Sequence, residues 1–189
     1  MLLAISAAIS CAFVQPASFD QVRTYLLGEW QLNKRMTYKA GGLSGKFDGV
    51  AKFDAVDSSA SSAALLAYNE SGTFAPSESG FPARETVNRL LYDFANDEEI
   101  SIYFAPRSQD EVGAEALLSS AEYLYPLRME GTGTLVIDGE SADGQHVYTG
   151  RIEIEAPHAF IYSWRVSGPT QEGEIISLYK RTSASLAED

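Results

Sequence analysis

Gly28-Glu29-Trp30-Gln31-Leu32-Asn33-Lys34-Arg35-Met36 puts Trp30, Leu32 and Met36 on one side of an extended chain and Glu29, Gln31, Asn33 and Arg35 on the other. Alternation with period two marks a strand with one face buried and one face wet. After a Gly41-Gly42 turn the pattern returns in Lys46-Phe47-Asp48-Gly49-Val50-Ala51-Lys52-Phe53, where Phe47, Gly49, Ala51 and Phe53 share a face. Small residues on that face let a strand bend or fit a taper.

Outward from these two stretches, further strands are expected over residues 65–74, 84–94, 99–104, 123–129, 132–137, 146–155, 160–166 and 174–181. In 84–94, Val87, Leu90, Leu91 and Phe94 also fit a helical stripe. Asp138-Gly139, Asp143-Gly144, Ala156-Pro157 and Gly168-Pro169 spell turns, and Asp57 to Ser62 is a Ser-rich loop. Two helices are expected. Phe19, Val22, Leu26 and Leu27 have helical spacing behind an N-cap at Ser18, and a capping-box spelling at Ser108-Gln109-Asp110-Glu111 opens an Ala/Leu/Glu-rich insertion that runs to Ala121. About nine or ten short strands with tight turns predict a closed antiparallel β-barrel over residues 19–181, because closure removes the exposed edges of a long meander. The polar residues 182–189 are expected to form a flexible tail.

With 189 residues, 45% hydrophobic, the chain has material for one core and one domain. Its 26 acidic and 14 basic residues give a net charge of −12, which disfavours nucleic acid as a partner. Residues 1–12 carry no charge and read as the apolar core of a signal peptide, too short to span a bilayer. Cleavage is expected after Ala12, leaving 13–18 as a presequence remnant or linker, with no membrane insertion of the mature chain. Cys11 is the only cysteine, so that mature chain would have no disulfide, thiol nucleophile or thiolate metal site. Ser10-Cys11-Ala12-Phe13-Val14-Gln15-Pro16 resembles the Ala-Phe-x-x-Pro junction of bipartite presequences in algae with complex plastids, which ranks the plastid slightly ahead of secretion.

Gly28-x-Trp30 after a short helix resembles the opening of lipocalins, whose tryptophan closes the barrel floor under a basic residue from the last strand; Arg181 or Lys180 stands in that place. A closer pattern is similar to an uncharacterised calycin-like family, domain-of-unknown-function 6314. It is carried by Leu27-Gly28-x-Trp30-x-Leu32-x-x-Arg35, Gly45-x-Phe47-x-Gly49-x-Ala51-x-Phe53, Leu66-x-Tyr68-x-Glu70-x-Gly72, Trp164-x-Val166-x-Gly168-Pro169 and Ser177-x-Tyr179-x-Arg181. The resemblance implies a mainly β, calycin-like barrel with a floor built on Gly28, Trp30 and Arg181, and implies no activity. The chain departs from the family pattern at Thr170-Gln171 and His146-x-Tyr148.

No nucleophile elbow, P-loop, metalloprotease helix or dinucleotide fingerprint occurs, so no catalytic residue, cofactor or metal is assigned. His146 and His158 read as strand-end residues, Arg151, Glu153 and Glu155 as one outer solvated face, and Asn69-Glu70-Ser71 as a chance glycosylation sequon. The barrel interior is the expected binding place, and Tyr68, Arg84, Tyr148, Trp164 and Arg165 are its candidate ligand-binding residues. An arginine pointing inward needs an acidic ligand or an internal carboxylate such as Glu70. Arg165 faces inward if Phe160, Tyr162 and Trp164 form the outer wall, and faces solvent with the opposite parity. The expected function is binding of a small apolar or amphipathic acidic ligand. The alternatives are a lyase-like accessory enzyme using the same cavity, as barrel-shaped bilin lyases do, and a solid-cored assembly partner filled by Trp30, Phe47, Phe53 and Trp164.

Overall fold

The structure is a computed structural model that describes residues 13–56, 64–105, 114–140 and 144–182. The expected export sequence at 1–12, the Ser-rich loop, the Ser108 to Glu111 capping box, the Asp143 turn residue and the tail from 183 lie outside the described residues.

Ten strands follow one another as a meander: β1 Gly28–Ala40, β2 Gly45–Ala55, β3 Leu65–Pro76, β4 Arg84–Asp93, β5 Ile100–Phe104, β6 Glu122–Met129, β7 Thr134–Glu140, β8 Val147–Ala156, β9 Ala159–Ser167 and β10 Glu172–Arg181. Each pairs antiparallel with its neighbour, and β1 also pairs with β10, so the sheet closes on itself with no free edge. Two helices complete the described residues, α1 Phe19–Leu26 before the barrel and α2 Ala114–Ser119 between β5 and β6.

Register decides which side chains meet inside. Trp30 lies opposite both Ala51 and Arg181, and Leu32 opposite both Gly49 and Tyr179, so the even-numbered residues of β1 face the lumen together with their partners. The same rule carries Leu66, Tyr68, Glu70 and Phe74 inward on β3 and Phe160, Tyr162 and Trp164 inward on β9. Gly49 and Gly72 stand opposite each other, and a methyl group on Gly49 would come within 2.3 Å of the Ser71 carbonyl oxygen and 2.8 Å of the Phe47 ring. Glycine is therefore required where the Phe47 ring crosses these two strands.

The 84–94 segment is strand, and its consecutive apolar residues have a packing reason. Leu90 and Tyr92 point into the lumen, while Leu91 points outward and is buried with Leu65 under Leu117 of α2. Val87, which lies on the outer face beyond the reach of α2, is 65% exposed. The inserted helix thus covers an apolar patch on the outside of the barrel.

Helix α1 plugs one end. Ser18 caps it by accepting a hydrogen bond from the Gln21 amide, and Val22 and Leu26 are buried against the lower core. Gly28 follows with φ 103°, a conformation that glycine adopts without strain, and turns the chain from the plug into β1. Within residues 13–18, expected as a presequence remnant or linker, Gln15 and Pro16 lie against the base: the Gln15 amide donates to the Ile154 carbonyl at 3.1 Å, and the Pro16 carbonyl accepts from Gly133 at 2.7 Å.

Candidate functional site

The closed end is built on the three residues expected there. The Arg181 guanidinium sits 4.1 Å from the centre of the Trp30 ring and donates to the carbonyls of Leu27 and Tyr25. Trp30 is fully buried, its indole N–H donates to the Leu26 carbonyl at 2.8 Å, and Phe160 packs edge-on against it at 4.9 Å. A cation over a desolvated indole adds about 2 kcal/mol, and its hydrogen bonds satisfy carbonyls at the helix end. Burial pushes the Tyr25 hydroxyl's ionisation up, and that hydroxyl reaches the Ala156 and Ala159 carbonyls of the β8–β9 turn.

Above this floor the side chains stop filling the lumen, leaving a cavity of about 870 Å³. Tyr68, Tyr92, Tyr125, Tyr162 and Tyr179 form its deeper wall, with Tyr148 and Trp164 nearer the open end. Tyr148 and Trp164 stack at 5.7 Å with 25° between their planes. The tyrosine hydroxyls pair across the lumen, Tyr68 with Tyr179 at 3.1 Å and Tyr125 with Tyr162 at 3.2 Å. Burial raises the ionisation of Tyr68, Tyr92 and Tyr162 well above the ordinary phenol value, and raises that of Tyr125 and Tyr179 as well. These rings therefore stay neutral and serve as hydrogen-bonding aromatic surface.

One ion pair is set into that wall. Lys34 on β1 reaches Glu70 on β3 at 2.6 Å, with the Lys34 ammonium 5.2 Å from the Phe47 ring and the Tyr68 hydroxyl donating to the same carboxylate oxygen at 2.5 Å. The two side chains are 13% and 7% exposed, so each compensates a charge that would otherwise be largely buried without a partner.

Three of the five sequence candidates, Tyr68, Tyr148 and Trp164, line this cavity. Arg84 lies in the inward register opposite Phe74, but at the rim, where it is exposed with its guanidinium 5.6 Å from the Phe74 ring. It meets no carboxylate among the described residues. Beside it a recess of about 470 Å³, bounded by Met36, Phe74, Arg84 and Thr86, shares Tyr38, Glu70 and Asn88 with the main cavity.

Arg165 is a correction. Because Phe160, Tyr162 and Trp164 face the lumen, Arg165 takes the outer side of β9, where its side chain is 67% exposed and pairs with Glu174 at 2.8 Å. The internal cation is Lys34, which the sequence did not single out. Its signal was present in the period-two pattern, since Lys34 stands on the same side as Trp30, Leu32 and Met36.

The remaining ionisable groups take ordinary places. Arg151 pairs with Glu130 and Glu153 on the outer face, while His146 and His158 flank opposite ends of β8. Among the described residues no three His, Cys, Asp or Glu side chains gather as a metal site. No described helix is long and apolar enough to cross a membrane.

The pattern of DUF6314, a family of unknown function, matches residues 26–181, which span every strand and the floor. The chain belongs to this family. No curated protein matches the sequence. Among solved structures, the S-type phycobiliprotein lyase CPES from Guillardia theta aligns with a TM-score of 0.57 at 10% identity, covering 88% of this DUF6314 chain and 93% of the lyase. That likeness is one of fold. A redesigned β-barrel bound to DFHBI aligns at a TM-score of 0.39 and 15% identity, covering 84% and 97% of the two chains.

Proposed function

We propose that this DUF6314 protein holds one small, largely apolar or amphipathic ligand inside the barrel, with any acidic group of the ligand at the rim beside Arg84. The observation that carries this reading is the cavity of about 870 Å³, whose wall is mostly aromatic with a few polar groups. Ligand sites are concave, mainly apolar, and about 300–1,000 Å³ in volume. Arg84 supports the acidic end, because a fixed guanidinium gives a local attraction that a chain of net charge −12 otherwise lacks.

The solid-cored alternative loses its premise, since Trp164 borders open volume. A lyase-like accessory role would use the same cavity, and turnover of the bound molecule separates it from carriage. Export through residues 1–12 and delivery to a plastid belong to the same proposal. N-terminal sequencing of native protein is expected to start at Phe13, and recovery of Met1 would remove the export step.

Native mass spectrometry of protein purified from its own source tests the binding reading. One small molecule per chain is expected, lost when Ser177→Phe fills the lumen and weakened in Arg84→Leu. An empty wild-type protein would overturn it.

A further inference from the structure

Glu70 uses only half of its hydrogen-bonding capacity. Its Oε2 atom takes both Lys34 and Tyr68, whereas Oε1 meets no donor among the described residues and is open to the cavity. Glu70 is only 6% exposed, so this oxygen faces enclosed space. Two more groups on the same wall share its condition: the Tyr92 hydroxyl and Ser177 Oγ have no hydrogen-bond partner among the described residues and belong to residues at most 5% exposed. Ser177 lies directly opposite Lys34 in the β1–β10 ladder, which places its hydroxyl on the same side of the lumen as the ion pair.

The charge balance at this point argues against an acid deep in the cavity. The Lys34 ammonium would attract one, but the Glu70 carboxylate 2.6 Å away repels it, and the pair is neutral as a whole. What the wall lacks is a donor of its own for the carboxylate oxygen that faces the cavity. A hydrogen bond to an ionised acceptor is the stronger kind, and a ligand that displaces solvent from this wall without supplying a donor leaves the acceptor unsatisfied.

We propose that Glu70 is the recognition residue of the cavity and that the ligand enters with a ring-borne N–H or O–H leading, donated to Glu70 Oε1. The ligand's flat apolar body then lies among the tyrosines, and an acidic group, where it has one, trails at Arg84. This rests on the ligand-binding reading of the same cavity.

Carbazole and fluorene test it, because the two share a flat three-ring outline and differ by an N–H in place of a CH₂. Binding of each is read by quenching of the tryptophan emission, since Trp164 lines the cavity. Wild-type protein is expected to bind carbazole about 10- to 100-fold more tightly than fluorene, the size of one charge-assisted hydrogen bond. In Lys34→Met/Glu70→Leu, which removes the acceptor without stranding an ammonium, the ratio is expected to fall to about one-fold with fluorene affinity retained. A wild-type ratio near unity with fluorene bound, or an unchanged ratio in the double variant, overturns the role of Glu70 and leaves the binding cavity standing. Failure of the wild type to bind either dye overturns both readings. Should the double variant not bind fluorene, the ratio is read in Glu70→Gln, whose neutral amide oxygen is the weaker acceptor: it is expected to fall, and an unchanged ratio there overturns the role of Glu70.

Discussion

Raising the pH should break this barrel from the inside. Of ten tyrosines in the chain, Tyr68, Tyr92, Tyr125, Tyr162 and Tyr179 sit in the cavity wall with their ionisation raised chiefly by burial. The Glu70 carboxylate adds to the effect at Tyr68, Tyr92 and Tyr179. A folded-state value above the unfolded one means that, beyond pH about 10, the unfolded chain releases protons that the folded chain keeps. Stability is then unaffected by these groups below that pH and falls as pH rises through it. Each such phenol costs about 1.4 kcal/mol per pH unit in this window, and six acting together, Tyr25 of the floor included, set a limit of about 8 kcal/mol per unit. A domain of ordinary stability, about 5–15 kcal/mol, would therefore open within about one to two pH units. Tyrosinate absorbance and far-ultraviolet circular dichroism, followed together through an alkaline titration, make the measurement. No more than the remaining four tyrosines are expected to ionise before the β-sheet signal is lost, with Tyr25 and the five of the cavity wall following in one cooperative step. Tyr92→Phe should reduce the steepness of the stability loss by about 1.4 kcal/mol per pH unit. Smooth ionisation of all ten tyrosines near pH 10 with the sheet signal intact would overturn this expectation, because it would mean that the lumen solvates phenolate.

Two substitution experiments probe the floor and the ion pair. Trp30→Ala removes the ring that carries Arg181 and Phe160, and should cost about 3–5 kcal/mol in chemical denaturation; an unchanged midpoint would show that the floor is not a stabilising unit. Lys34→Met leaves the Glu70 carboxylate buried without its counter-charge and should cost about 3 kcal/mol, whereas Lys34→Met/Glu70→Leu should recover most of that loss. Equal destabilisation by the single and double variants would mean that the pair is not coupled.

The legible part of the site was what lies along one strand or at its ends. Tyr68, Tyr148 and Trp164 stood out as aromatic residues in alternating strands, and they line the lumen. Gly28, Trp30 and Arg181 were legible through the resemblance of Gly28-x-Trp30 to the lipocalin opening, and the β1–β10 pairing puts Trp30 opposite Arg181. Arg165 was not legible. On β9 large residues alternate with Ile161, Ser163 and Arg165, and both faces carry groups able to point either way. The direction was set by neighbours: Ser177, Tyr179 and Ile152 lie opposite the β9 aromatics, while Glu174 waits outside for Arg165.

Local alternation and turn residues were enough to expect about nine or ten strands closed into a barrel, and the lipocalin-like opening was enough to expect the floor. That the lumen is open above the floor emerged from packing alone. A cavity is the volume left when side chains from ten strands have taken their places, and no single strand contains that difference. The Lys34–Glu70 pair depended on the same closure: β2 separates the strands that carry the two residues, so their meeting across the curved wall follows from the barrel's curvature and is absent from any one pairing ladder.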